Sequence, residues 1–299
     1  MQTTSRQTRS TRKVSLIKSV STLALAVTAV FGVSAPASAV PILGSSLASF
    51  AVLGAEGVTN VPVSTIGGNL GSAPNPSVGG GYIFTSGSFQ PNTALAQQAQ
   101  LDLDAAFPIL AAFGVGTTVT GGDLIAFQGL NGGVIAPGTY TVPALATGNL
   151  PTGGTLVLDG GNSNTAVWVF HFPGTLITST TSNVIVQNVG NGSKVGIYWD
   201  VGSAATLTGP TFAGNVLARD LISSDGNLTM TCGRLLSATA QVTLNQDNIS
   251  IGCAGTGVGS GGFGQGADIG SGGNVPEPGS LALLGLGLAG LGFVRRRQR

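Results

Sequence analysis

Alternating apolar and polar residues predict a series of short strands in the C-terminal part of the chain. Between residues 204 and 253 the alternating runs are separated by Gly, Asn, Asp and Pro. This pattern is typical of half-buried β-strands joined by turns. Two similar pieces of sequence begin at Gly214 and Gly233, 19 residues apart. That spacing suits one coil of a β-solenoid, in which each strand stacks on its counterpart in the next coil.

The alternation also sorts side chains into inward and outward sets, because successive residues of a strand point to opposite sides. The side chains that we expect to point inward are those of Leu207, Phe212, Leu228, Met230, Val242, Leu244, Ile249 and Ile251. Those that we expect to point outward are Thr206, Thr208, Thr211, Thr229, Thr231, Thr243, Asn248 and Ser250. The outer surface would then be a regular array of small hydroxyl and amide groups with almost no charge.

One helix interrupts the strands. Residues 92–107 form a helical pattern that Asn92 or Thr93 can cap. Its apolar stripe consists of Leu95, Ala99, Leu103, Ala106, Leu110 and Phe113. Pro108 lacks a backbone donor, so we expect a kink or an end there. Residues 47–53 predict a strand. The frequent Gly, Pro and Asn residues that follow exclude a helix before Pro91. Further strands are predicted after Gly114.

Both ends of the chain resemble processing segments. Residues 1–39 carry five basic residues, an apolar run and the cleavage pattern Ala37-Ser-Ala39, which indicates a secretory signal. Residues 254–274 are rich in Gly and Ser and predict a flexible linker. This leaves residues 40–253 as the folded body.

The C-terminal residues 275–299 combine three features in order. They begin with Val275, Pro276, Glu277 and Pro278, continue with an apolar run and end in a basic tail. As a helix, the run over residues 279–294 would be about 24 Å long, slightly short for a membrane core of about 30 Å. This order resembles the PEP-CTERM sorting signal, which implies export in a Gram-negative bacterium and processing by an exosortase. An ordinary membrane anchor at the tail is the alternative.

Without these ends the chain is acidic. Residues 40–274 hold three basic and ten acidic residues, a formal charge of −7. A charge-poor acidic body argues against nucleic acid or anionic membrane as a partner. Cys232 and Cys253 are the only cysteines. In an oxidising compartment they predict a disulfide that pins the last coil, worth about 3 kcal/mol by chain entropy. Zinc is the weaker alternative, because no His lies near them in the sequence.

The body resembles the microbial ice-binding-like family from about residue 47 to 253. The resemblance rests on residues 49–54, 68–71, 98–102, 137–140, 166–170, 201–207, 212–218, 233–236 and 242–244. It implies a mainly β fold, a discontinuous right-handed parallel β-solenoid with one long α-helix packed along its side. Asn69 stands where the family often has Asp, a difference that we assign to a turn.

The resemblance also implies ice-binding (antifreeze) activity through a flat outer face. The candidate ice-binding residues are Thr206, Thr208, Thr211, Ala213, Thr229, Thr231, Thr243, Asn248 and Ser250. The motif Thr-Ala/Gly-x-Thr/Asn, which some members carry on the ice-contacting face, fits residues 208–211 and 152–155, about as many matches as chance predicts. For any single outward Thr, ordinary strand preference of β-branched residues explains the residue equally well.

Two other classes of function compete with ice binding. A structural or adhesive protein of the cell surface or biofilm matrix, in contact with exopolysaccharide, would suit the same scaffold and sorting signal. Catalysis is disfavoured, because His171 has no obvious partner and Asp102 and Asp104 cannot face each other on a helix. A calcium motif at residues 261–264 is incomplete, and Lys194, Arg219 and Arg234 are too scattered to bind phosphate. We therefore expect a monomeric non-enzyme without metal or cofactor, exported to the cell envelope or beyond.

Overall fold

A computed structural model of the chain describes residues 42–144, 146–190 and 195–252, with the side chain of Thr231 excepted. The predicted secretory signal, linker and sorting tail lie outside these residues, as do Lys194 and Cys253. The helices described are α1 (Ser45–Ala48), α2 (Ala94–Ala111) and α3 (Leu124–Leu130), with a 3₁₀ turn at Thr120–Gly122. No helix among the described residues is long and apolar enough to cross a membrane.

Short parallel strands make up the rest of the body. Before α2 they are β1 (Phe50–Gly54), β2 (Val58–Val61), β3 (Ser64–Gly67), β4 (Asn69–Ser72), β5 (Tyr82–Ser86) and β6 (Phe89–Pro91). After α2 they are β7 (Thr117–Thr118), β8 (Gly138–Thr141), β9 (Gly148–Leu150), β10 (Thr155–Asp159), β11 (Val167–Phe172), β12 (Leu176–Thr178), β13 (Asn183–Gln187), β14 (Gly196–Val201), β15 (Ala205–Leu207), β16 (Thr211–Ala218), β17 (Ile222–Ser224), β18 (Thr229–Ser237), β19 (Val242–Asn245) and β20 (Asn248–Ser250).

The strands stack into three faces of a β-solenoid. Face A follows the order β6-β4-β1-β18-β16-β14-β11-β8-β7. Face B follows β2-β19-β17-β15-β12-β9. Face C follows β5-β3-β20-β18-β16-β13-β10, because the long strands β16 and β18 turn a corner and serve faces A and C. Gly214 pairs with Gly233 at that corner, which confirms the predicted 19-residue coil.

The chain does not fill the solenoid in order. The first strand, β1, lies between β4 and β18, and β2 and β3 pair with β19 and β20 of the last coil. Helix α2 joins β6 at one end of face A to β7 at the other end. The predicted discontinuity and the helix along one side are therefore confirmed.

A continuous apolar core fills the solenoid. The rings of Tyr140, Phe170 and Trp199 stack along it, with centroids 5.2 Å and 4.4 Å apart. The side chains predicted to point inward are buried there, except Ile251, which is half-buried. Outward apolar residues of face A form a second cluster with Leu103, Phe107 and other residues of α2. Face A is thus covered by the helix.

The prediction for α2 needs two corrections. Helix α2 continues through Pro108 to Ala111, since Phe107 and Leu110 are buried against face A on either side of the proline. Phe113 lies beyond the helix and is 38% exposed, so it does not extend the buried stripe. Thr93 caps α2 as predicted, with its hydroxyl accepting from the amide of Ala96.

Helix α1 occupies residues that the sequence predicted to be extended. Its first amides, those of Ser46 and Leu47, donate to Asp102 of α2 at 3.2 Å. A cap supplied from 55 residues away leaves no local signal in the sequence. Helix α3 was also missed, although Asp123 caps it locally through the amides of Ile125 and Ala126.

A buried cation fixes α1 to face A. Arg234 is fully buried, and its Nη2 and Nε donate to the carbonyl oxygen of Ala48 at 2.6 and 3.2 Å. Its Nη1 donates to Asn215 at 2.8 Å. Burial lowers the pKa of Arg234 to about 10, so the side chain is still protonated at neutral pH. It therefore serves as a charged cap for the C-terminal carbonyl of α1.

Candidate functional site

Face B is the most regular surface of the solenoid. Its five strand pairings keep one register without a bulge across all six strands. Along β9, β12, β15, β17 and β19 the buried positions alternate with more exposed ones. Most buried side chains are apolar, and Thr178 and Ser224 are the polar ones. No residue of the six strands has an ionisable side chain. Face B is therefore a sheet of unbroken register whose six strands carry no ionisable side chain.

A row of exposed or half-buried side chains runs across the middle of face B. The register places its members directly opposite one another, in the order Thr59, Thr243, Ser223, Thr206, Ile177 and Asn149. All six are exposed or half-buried. Neighbouring strands are about 4.8 Å apart, so the row repeats at that interval.

Hydrogen bonds between neighbours hold the hydroxyls of this row in place. Thr59 and Thr243 lie 3.1 Å apart between their Oγ1 atoms. Ser223 Oγ donates to Thr206 Oγ1 at 3.5 Å. A flanking pair repeats the contact, since Thr175 Oγ1 donates to Thr147 Oγ1 at 3.4 Å. Three pairs of neighbouring hydroxyls on face B are therefore in contact with each other.

Face C also carries a polar row, which consists of Thr65, Asn248, Thr229, Thr211, Asn183 and Thr155 in register. Its sheet is less regular than that of face B. The register shifts between Phe212 and Gly214 at the corner. A second shift separates Ile66 and Gly67 where β3 meets β5.

A charge also lies on face C. Asp159 ends β10, and the amide of Gly161 and the side chain of Gln187 donate to its carboxylate. These hydrogen bonds hold the pKa of Asp159 below its usual range, so the carboxylate is ionised at neutral pH. Face C is thus a bulged surface with a charged edge.

The structure divides the nine predicted ice-binding residues between these two faces. Thr206 and Thr243 belong to face B, and Thr208 follows β15 at its edge, where its amide donates to Thr178 Oγ1 at 2.9 Å. The backbone of Thr231 and the residues Thr211, Thr229, Asn248 and Ser250 belong to face C.

The nine residues therefore do not share one face, because a turn after β15 separates the two groups. Ala213 is also wrong as an outward residue, since it is buried with 7% of its surface exposed. It lies at the register shift of β16, where the alternation of the strand is interrupted.

Sequence reasoning missed Thr59, Ser223, Ile177 and Asn149 of the face B row. Thr59 lies 184 residues from Thr243, so no repeat length links the two positions. Ser223 lies in a strand of only three residues, too short for a clear alternation. The signal that could have found Ser223 is its spacing of one coil from Thr206 and Thr243.

His171 has a partner that the sequence did not reveal. Its Nδ1 lies 2.8 Å from Asp200 Oδ2, because β11 and β14 place the two residues opposite each other. The pair borders a cavity of about 240 Å³, which Arg219 also lines. Nε2 of His171 is buried and has no hydrogen-bond partner among the described residues. The contact of His171 with Asp200 joins neighbouring strands of face A.

No group of three or more potential metal ligands occurs among the described residues. Cys232 is buried, and its predicted disulfide partner Cys253 lies outside the described residues. The pairing of the two cysteines stays a prediction. The described part of the chain thus offers one regular outer surface, face B, as its candidate site.

Comparison with known proteins identifies the family to which this chain is similar. Residues 52–250 match the ice-binding-like family, and residues 274–297 match the PEP-CTERM protein-sorting motif. The sorting motif indicates export. An ice-binding protein of Nostoc sp. (strain HG1) is 31% identical over 92% of this chain and 94% of its own length. An ice-binding protein of Flavobacterium frigoris (strain PS1) is 26% identical over 68% and 74%.

Solved structures agree with the sequence match. An ice-binding protein from an Antarctic biological consortium is 28% identical, with a TM-score of 0.59 over 70% of this chain and 90% of its own. An ice-binding protein of the ascomycete Antarctomyces psychrotrophicus is 27% identical, with a TM-score of 0.56 over 70% and 98%. The β-solenoid with its flanking helix is shared with both proteins. By sequence and by fold, this chain belongs to the ice-binding-like family.

Proposed function

We propose that the protein binds ice through face B. The observation that carries the proposal is the row from Thr59 to Asn149, which crosses six strands in one register on an uncharged surface. Membership of the ice-binding-like family supports the same function. Face B replaces the scattered set of nine residues as the proposed contact surface.

The proposed mechanism follows from the chemistry of the row. Each Thr presents a hydroxyl that can hydrogen-bond to water and a methyl group that does not. Hydroxyls repeating at about 4.8 Å on a rigid sheet can hold a layer of water in a regular lattice. Methyl groups between them favour ordered water around apolar surface. Charged side chains would hold water in their own hydration shells, and face B has none on its strands.

We further propose an exported protein of the cell surface or the surrounding medium. The match to the sorting motif at residues 274–297 supports recognition by an exosortase. The secretory pattern at residues 1–39 and the linker at residues 254–274 agree with that arrangement. A Gram-negative source and contact with exopolysaccharide stay predictions. The protein would act by adsorption and not by catalysis, and its membership of the ice-binding-like family supports this.

The test compares matched substitutions on the two faces. One variant carries Thr206→Tyr with Thr243→Tyr on face B, and the control carries Thr211→Tyr with Thr229→Tyr on face C. Each protein is fluorescently labelled, shown to be folded by circular dichroism, and offered to a slowly growing ice hemisphere. We expect the parent and the face C variant to enter the ice, and the face B variant to remain in the liquid.

Two outcomes would contradict the proposal. Exclusion of the folded parent from the ice would remove ice binding as its function. Loss of ice uptake in the face C variant, with uptake kept in the face B variant, would place the contact surface on face C.

A further inference from the structure

The two ends of face C differ in whether a side chain covers the backbone edge of the terminal strand. At one end, Gln128 of α3 lies against the last strand of face C. Its Nε2 donates to the carbonyl oxygen of Thr155 at 3.0 Å, and its Oε1 accepts from the amide of Val157 at 2.6 Å. The side-chain amide therefore occupies the backbone edge of β10. We call this the closed end.

The opposite end has no such cover among the described residues. Strand β5 pairs only with β3, and β6 pairs only with β4, so the outer edge of each is left without a strand. We call this the open end and define it by residues 82–91. An exposed strand edge offers unpaired amides and carbonyls to another chain.

Apolar side chains surround the open end. Ile83 is 57% exposed and Phe89 is 47% exposed. The ring of Phe89 meets those of Tyr82 and Phe84 edge to face, with centroids 5.5 Å and 4.8 Å away. A cluster of this kind on an uncovered edge is typical of an interaction surface.

The open end also carries no charge. Residues 57–101 contain no Asp, Glu, Lys, Arg or His, although the body as a whole is acidic. Two copies of an acidic protein repel each other over most of their surfaces. At the open end they could meet without bringing like charges together, so this end is compatible with a second copy of itself.

We propose that the open end binds the open end of a second copy and forms a symmetric dimer. A two-fold axis would set β5 antiparallel to β5 of the partner, which satisfies both edges at once. Ile83 and Phe89 would be buried at the contact. A two-fold contact uses the same patch on both copies, so association stops at two copies and does not continue into a filament. This inference replaces the expectation of a monomer and does not depend on ice binding.

Sedimentation velocity over a range of protein concentrations tests the dimer. The body resembles a solved relative over 90% of that protein's length, so residues 40–253 form a suitable unit. We expect a concentration-dependent dimer. Ile83→Asp and Phe89→Asp should each weaken it at least about tenfold, because each buries an unpaired carboxylate at the contact. Both positions are exposed in the single chain, so circular dichroism should show unchanged folding.

The control is Leu130→Asp at the closed end, where Leu130 is 86% exposed. It should leave the dimer intact. A parent that is monomeric at every concentration would overturn the proposal. A dimer lost equally in all three variants would do the same. If residues 40–253 dimerise but residues 40–274 do not, the open end is covered by the chain's own linker, and the proposal is wrong.

Discussion

Faces B and C are both built from short parallel strands with Thr and Asn pointing outward, but they are organised differently. Every strand of face B is a separate segment between two turns, so its register is set independently of the other faces. Face C shares β16 and β18 with face A, and these strands must bend at the corner. Face B therefore keeps an unbroken register, while the register of face C shifts at the corner.

The difference shows that outward Thr residues alone do not define a binding surface. Both faces have a polar row with a similar composition. What distinguishes face B is an unbroken register, hydrogen bonds between neighbouring hydroxyls and the absence of charge on its strands. A surface that must match a crystal lattice requires regular spacing more than a particular residue type.

We expect the largest effect on stability from adding a side chain at Gly214, where β16 turns the corner between faces A and C. Its φ of +99° is unfavourable for other residues, and an added Cβ would lie 2.6 Å from Ile197 Cγ2 and 2.9 Å from Trp199 Nε1. We expect Gly214→Ala to lower the free energy of unfolding by about 2 to 5 kcal/mol. Urea unfolding measures the change.

Gly129→Ala is the control for this substitution. Gly129 lies in α3, and an added Cβ there would meet nothing within 4 Å. It should leave stability unchanged or raise it slightly, because Ala favours helix. Equal stability of the Gly214→Ala protein and the parent would mean that the corner does not depend on glycine.

A smaller effect is expected at Asp247, which lies at the turn between faces B and C. Its buried carboxylate accepts hydrogen bonds from the hydroxyl of Ser224 and from the amides of Leu228 and Asn245. Asp247→Asn replaces one accepting oxygen by a donor. We expect the free energy of unfolding to fall by about 1 to 3 kcal/mol at neutral pH.

The same variant gives a pH test with a definite sign. Burial raises the pKa of Asp247 in the folded protein above its value of about 3.9 in an unfolded chain. Such a shift favours folding most below the unfolded pKa, and the benefit is lost as pH rises through the folded pKa. The parent should therefore lose stability relative to the Asn variant as pH rises from about 4. A stability difference independent of pH would show that the pKa of this carboxyl is the same in the folded and the unfolded chain.

Much of the fold was predictable, because strand parity is a local property. The burial of Leu207, Met230 and Val242 followed from alternation alone. The assignment of residues to faces was not predictable in the same way. Parity distinguishes inside from outside, but it does not say on which side of a turn a strand lies. Thr206 and Thr211 are only five residues apart and belong to different faces.

Long-range contacts explain the remaining errors. Strand β2 joins face B by pairing with β19, and nothing in the residues near Thr59 signals this partner. Helix α1 depends on Asp102 and Arg234, which come from a distant helix and the last coil. Non-local pairing of this kind sets the extent of face B and was beyond the reach of residue spacing.

The smallest expected effect concerns the one aliphatic residue in the face B row. Ile177 is 41% exposed between Thr206 and Asn149, and it interrupts the hydroxyls. Ile177→Thr removes exposed apolar surface from a strand position that suits either residue, so stability should change by less than about 0.5 kcal/mol. If regular hydroxyls hold the water layer, the substitution should increase uptake into a growing ice hemisphere. Ile185→Thr is the control, since Ile185 is 40% exposed on face C. That control should leave uptake unchanged. A fall in uptake with Ile177→Thr would show that the exposed aliphatic group contributes to ice contact, and that apolar surface contributes more than hydroxyl spacing on face B.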